Sequence, residues 1–112
     1  MASDLEFVEF VTENIKNSGN IRSRKMFGEY CLYCEEKVVA LICDNKLFVK
    51  PTDAGREYIG NVTEAPAYIG AKDSFLIEDK IEDSDWLTEL IKITGKELPV
   101  PKQKKKRKKK ND

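Results

Sequence analysis

The sequence predicts an α+β fold, a two-layer sandwich in which an antiparallel meander sheet carries an N-terminal helix, a short middle helix and a C-terminal helix. Three observations predict it. Apolar residues recur at helical spacing near both ends of the chain. Four short runs between residues 24 and 50 have strand composition. Only turns of a few residues part those runs, so successive strands must pair antiparallel, with the helices segregated from them.

Taken in order, Ser3-Asp4-Leu5-Glu6 reads as a capping box, and Leu5, Val8, Val11 and Ile15 follow as an apolar stripe widened by Phe7 and Phe10. Ser18-Gly19-Asn20 stops it, which predicts a helix from about 4 to 17. Strands are expected at Arg24–Phe27, Tyr30–Cys34, Val38–Cys43 and Lys46–Lys50. Val38–Cys43 is almost wholly apolar and is expected to be central and buried on both faces. Glu35-Glu36-Lys37 is a polar turn, and Asp44-Asn45 is a turn pair of residues that tolerate positive φ. Pro51 ends the fourth strand, because proline cannot donate to a ladder.

Thr52-Asp53 caps a short helix through about Ile59, closed by Gly60. Residues Asn61–Ala71 read as irregular, and Ser74–Glu78 as a further strand. Ser84-Asp85 caps the last helix, whose stripe is Trp86, Leu87, Leu90 and Ile91 and whose end is set at Gly95.

The zero net charge of the 112 residues hides a division. Residues 1–101 hold 12 Lys and Arg against 19 Asp and Glu, a net of −7. Residues 102–112 hold eight against one, a net of +7. Leu98-Pro99-Val100-Pro101 marks the boundary between a folded domain, 1–101, and a disordered polybasic tail, 102–112, with no apolar residue to bury. With 40% apolar residues the body is rich enough to fold. No run of 18 apolar residues exists to span a membrane, and Met1–Phe10 carries three carboxylates in place of a secretion signal. Three cysteines and no disulfide pattern add to a cytoplasmic expectation.

Arg24-Lys25-Met26-Phe27-Gly28-Glu29-Tyr30 resembles the opening signature of the TfoX N-terminal domain family. Val39-Ala40-Leu41-Ile42, Leu47-Phe48-Val49-Lys50 and Tyr68-Ile69-Gly70-Ala71-Lys72 with Phe75-Leu76-Ile77 are similar to later elements of it. So is the ending Trp86-Leu87…Leu90-Ile91…Glu97-Leu98-Pro99. The resemblance implies a small bacterial α+β domain. In the family's namesakes a helical C-terminal domain follows, and the protein regulates transcription of genes for DNA uptake. Here a lysine tail stands in that position, and the resemblance supplies no catalytic residues.

The chemistry of the residues points to binding rather than catalysis. With no histidine in the chain, Ser–His and Cys–His pairs are excluded. Cys31-x-x-Cys34 with Cys43 falls short of four zinc ligands, and its spacing within a strand sends the first two thiols to opposite faces. Glu78, Asp79, Glu82, Asp83 and Asp85 lack the loop spacing of a calcium site. No catalytic residue, metal ligand or cofactor is therefore assigned. Lys102, Lys104, Lys105, Lys106, Arg107, Lys108, Lys109 and Lys110 are the candidate nucleic-acid contacts. With no aromatic among them they grip phosphate without reading DNA or RNA sequence. Arg22, Arg24 and Lys25 form a candidate patch for a protein partner, set against a reading in which Met26 and Phe27 are core and Gly28 permits a tight turn. The expectation is a regulatory adaptor. A homodimeric chaperone-like module, and then a metal-dependent enzyme, are the alternatives.

Overall fold

Val8, Val11 and Ile15 recur at three to four residues, and burying that stripe holds the first helix on the sheet. In a computed structural model of the chain, which describes residues 4–26 and 29–99 (Met26 by its backbone alone), this helix is α1, Leu5–Asn14. A 3-10 turn, Lys16–Ser18, follows. The strands are β1 (Ile21–Met26), β2 (Glu29–Cys34), β3 (Lys37–Cys43) and β4 (Lys46–Val49). Then come α2 (Asp53–Ile59), β5 (Glu64–Pro66), β6 (Asp73–Ile77) and α3 (Ser84–Glu97). All pairings are antiparallel, in the order β1-β2-β3-β4-β6-β5. The predicted α+β class and the three helices stand.

The start of α1 differs from expectation. Asp4, not Ser3, occupies the cap, and its side chain accepts no helix N–H. Its carboxylate takes an N–H of the Asn45 side chain instead, while its backbone N–H donates to Asn45 Oδ1 at 2.8 Å. Ser3 lies outside the described residues. Leu5 and Phe10, read as part of the apolar stripe, are exposed.

The sheet buries one face under the helices. Leu32, Ala40, Val49 and Phe75 stand opposite one another across four strands on that side, with Ile42, Leu47 and Ile77 in the next row. A bulge where β2 meets β3 lets the adjacent residues Val39 and Ala40 both enter this core. From the helices come Val8, Val11, Ile15, Leu87, Leu90 and Ile91. Alternation sends Arg24, Cys31, Leu41, Phe48 and Leu76 to the opposite face, in register on five strands. None of the described helices covers that open face, and β3 is buried there only in part: Val38 and Leu41 are half-buried, whereas Cys43, like Cys31 and Phe48 on the same face, is buried.

Polar bonds fix the helices to one another. Ser84 Oγ and Thr88 Oγ1 donate to the Asn14 carbonyl at the end of α1, at 2.8 and 2.9 Å. Glu97, in the last turn of α3, accepts the backbone N–H groups of Asp53 and Ala54 and so caps α2 from outside. Thr52 Oγ1 accepts the Gly55 N–H at 3.0 Å, as the predicted cap requires.

Three further expectations are corrected. Residues 61–71 contain a strand, β5, a three-residue edge piece ending at Pro66. The last helix is capped by Asp83, which accepts the Trp86 N–H at 3.1 Å, one residue before the expected Ser84. It also runs through Gly95 to Glu97: a single glycine weakens a packed helix without ending it, and the Gly95 carbonyl accepts from Lys37 Nζ at 2.9 Å. The expected domain boundary at 98–101 lies partly outside the described residues, as does the whole of the tail.

Candidate functional site

Strand periodicity divides the basic patch anticipated on β1. Arg22 and Arg24 pair with Tyr33 and Cys31 and point to the open face; Lys25 pairs with Tyr30 and points to the helical side. The Arg22 guanidinium bonds Glu36 at 2.9 Å and lies over the Tyr33 ring at 4.3 Å. Arg24 makes no ion pair among the described residues. Strand β1 is the sheet's edge, so its outer backbone groups have no strand partner, and its charged side chains guard the edge against indiscriminate pairing. Phe27, Gly28 and the Met26 side chain, and with them the competing core-and-turn reading, lie outside the described residues.

Carboxylates outnumber bases on the described helices. On α1, Glu6, Glu9 and Glu13 are exposed, and Lys16, just past its end, pairs with Glu13. The 78–83 segment and the first turn of α3 add Glu78, Asp79, Glu82 and Asp85, all exposed. Open-face positions carry Arg22, Arg24 and Lys50, with Glu29 on the same side, while Arg56, Lys92 and Lys96 lie on the helices. The described body ends at Leu98–Pro99; Leu98 packs against the helical-side core and also borders a cleft lined by Lys50 and Ser74. The tail candidates, Lys102 and residues 104–110, lie outside the described residues.

The three thiols do not form a site. Cys31 is on the open face and Cys34 on the helical side, as the spacing predicted; Cys43 is on the open face. All three are buried and free. Burial raises each thiol above its ordinary pKa. For Cys31 the nearby Lys50 and Arg24 oppose the rise, and Cys43, with Glu29 adding to burial, reaches about 11. The nucleophilic thiolate is thus scarce at neutral pH. Alkylation at pH 7.5 is expected to be slow for all three and complete in urea. Fast native labelling of any one would revive a redox role. Among the described residues no three Cys, Asp or Glu side chains converge as a metal site, and Asp83 of the acidic cluster is engaged as the α3 cap.

Sequence reading missed the cleft that Leu98 borders. It encloses about 410 Å³. Lys50, Lys72 and Ser74 supply its donors, and Tyr68 stands at its edge. The Leu47–Ile77 and Val49–Phe75 pairings, continued by one step, set Lys50 opposite Ser74. Tyr68 and Lys72 are held on a tight turn closed by the Ala71 N–H to the Tyr68 carbonyl at 3.0 Å, with Gly70 at φ 91° where a side chain would be strained. A sequence signal existed for Lys50, which follows Leu47 and Val49 out of phase. None existed for its meeting with Ser74.

No described helix is long and apolar enough to cross a membrane. Residues 13–97 match the model of the TfoX N-terminal domain. A protein of Spirochaeta aurantia, described as an uncharacterized 12.7 kDa protein in the trpE 5′ region, is 41% identical over 105 residues. That similarity covers 94% of this chain and 91% of the relative, so it runs through nearly all of both. The match of the family model over residues 13–97, most of the chain, establishes that the chain belongs to the TfoX N-terminal domain family.

Proposed function

We propose that this protein is a non-catalytic regulatory adaptor of the cytoplasm, in which the folded body contacts a protein partner and the lysine tail adds sequence-independent affinity for nucleic acid. Membership of the TfoX N-terminal domain family supports a regulatory role. The observation that carries the rest is the charge division: residues 1–101 hold a net −7 and residues 102–112 a net +7. The partner surface is the β1 edge, where Arg22 and Arg24 favour an acidic strand.

Binding of duplex DNA and RNA by the full chain and by a 1–101 truncation tests the tail. The truncation keeps every residue of the described core. The full chain is expected to bind at low salt, with log K falling against log salt at a slope of about −6 to −7 on duplex. The truncation should lose at least roughly a hundredfold in affinity at low salt. Equal binding by the two would end the nucleic-acid part. Arg22→Glu/Arg24→Glu should release a captured protein partner in nuclease-treated lysate, and unchanged capture would remove the β1 edge from the proposal.

A further inference from the structure

Ser74 poses a question that the fold leaves unanswered. It is 8% exposed on a central part of the sheet, and its hydroxyl has no hydrogen-bond partner among the described residues. Buried polar groups in native proteins are bonded almost without exception, and an orphan marks a water, an ion or a ligand not yet supplied. Ser74 lines the open-face cleft, and so do two lysines, Lys50 and Lys72, neither of which has an ion-pair partner among the described residues. The buried Ser74 hydroxyl and two cationic side chains thus line one cleft, reached from β6, the end of β4 and the 67–72 loop.

We propose that this cleft binds a nucleotide, its phosphate held by Lys50, Lys72 and the Ser74 hydroxyl and its base laid on the Tyr68 ring. A phosphate presents several oxygens in three dimensions and accepts from donors that arrive on different elements. The apolar part of the lining, Leu41, Pro51, Ala67, Ala71 and Leu98, suits a flat heterocycle better than a bare ion. Tyr68 is 60% exposed, so its ring has a free face to stack on. Asp73, the lining carboxylate, accepts hydroxyl donors such as those of a ribose. The volume of about 410 Å³ is in the range of small-molecule sites.

None of these residues belongs to the tail, so the site stands or falls independently of the tail's role. The nucleotide is either free or one unit of a single strand, and the two sources are separable. The full chain is titrated with adenosine monophosphate at high salt, where contacts of a lysine run to phosphate fade, and followed by amide NMR shifts. Shifts are expected at Lys50, Tyr68, Lys72 and Ser74. Adenosine and inorganic phosphate should each bind at least about tenfold more weakly, since each keeps only half of the contacts. Lys50→Gln and Ser74→Ala should each weaken binding by roughly fivefold or more, one removing a charge and the other only a hydroxyl. A single-stranded hexamer of adenylate that binds more tightly than the monophosphate, at the same residues, assigns a strand; the reverse assigns a free nucleotide. Absence of shifts at these residues with both probes overturns the site. So does inorganic phosphate binding as well as the monophosphate, or indifference of both variants.

Discussion

Replacing Phe75 by alanine is expected to destabilise the domain by about 3–5 kcal/mol. The ring is fully buried at the middle of β6, between Val49 of β4 and Glu64 of β5, against Gly55 of α2 and beneath the Arg56 guanidinium at 5.2 Å. It is the largest of the fully buried side chains, and it joins three strands to the middle helix. Neighbours held in a ladder and a capped helix cannot collapse into the space it would leave, so the cavity contribution adds to the lost transfer energy. At about 4–8 °C per kcal/mol for a domain of this size, the melting midpoint should fall by roughly 15–30 °C. Thermal and urea unfolding check it. A loss under about 1 kcal/mol would mean that the β6 end is not part of the core.

Gly19→Ala is expected to cost about 2–4 kcal/mol from two causes acting together. The residue has φ 151° and ψ −155°, a conformation that only glycine adopts without strain. An added Cβ would also stand 2.8 Å from Glu35 Oε2 and 3.1 Å from Cys34 Sγ. That carboxylate oxygen is not free to retreat, because it accepts the Asn20 N–H at 2.7 Å and ties the α1–β1 link to the β2–β3 turn. A double-mutant cycle separates the causes. If the clash contributes, Gly19→Ala should cost less in a Glu35→Ala background; if only backbone strain acts, the costs add. Stability unchanged by the single substitution would contradict the described backbone at this position.

Local rules explain what could be read along the chain. Thr52-Asp53 and Gly60 bracket α2 as expected, since a capping hydroxyl and a terminal glycine act on their own neighbours. Asp44-Asn45, at φ 53° and 57°, is the tight hairpin that its composition announces. Glu35 and Glu36 adopt the same geometry at φ 52° and 69°, against their own preference. Their side chains offset the strain by bonding Asn20 and Arg22, which are distant in sequence. Gly95 was misread for a similar reason: the packing of α3 and the Lys37 bond to the Gly95 carbonyl carry the helix past it, and the stop comes at Leu98-Pro99. Strand β5 is three residues long and ends on a proline, so it has no periodicity of its own and exists only through β6.

The candidate sites divide along the same line. Arg22, Arg24 and Lys25 are adjacent in sequence and stood out as a basic patch, though the two-residue period of β1 then parted them. Lys50 and Ser74 are 24 positions apart and meet only because β6 pairs with β4. No local pattern contains that pairing.

Its position in the sheet also gives the molecule an assembly order. The hairpins from β2 to β4 close over two-residue turns, whereas the β4–β6 ladder must first gather the whole of residues 50–72. The early meander is thus poised to form before the rate-limiting barrier, and the strand bearing Phe75 joins after it. Truncating that ring should then quicken unfolding while leaving refolding almost untouched, and the descent to the native state ends where the Lys50–Ser74 cleft is completed.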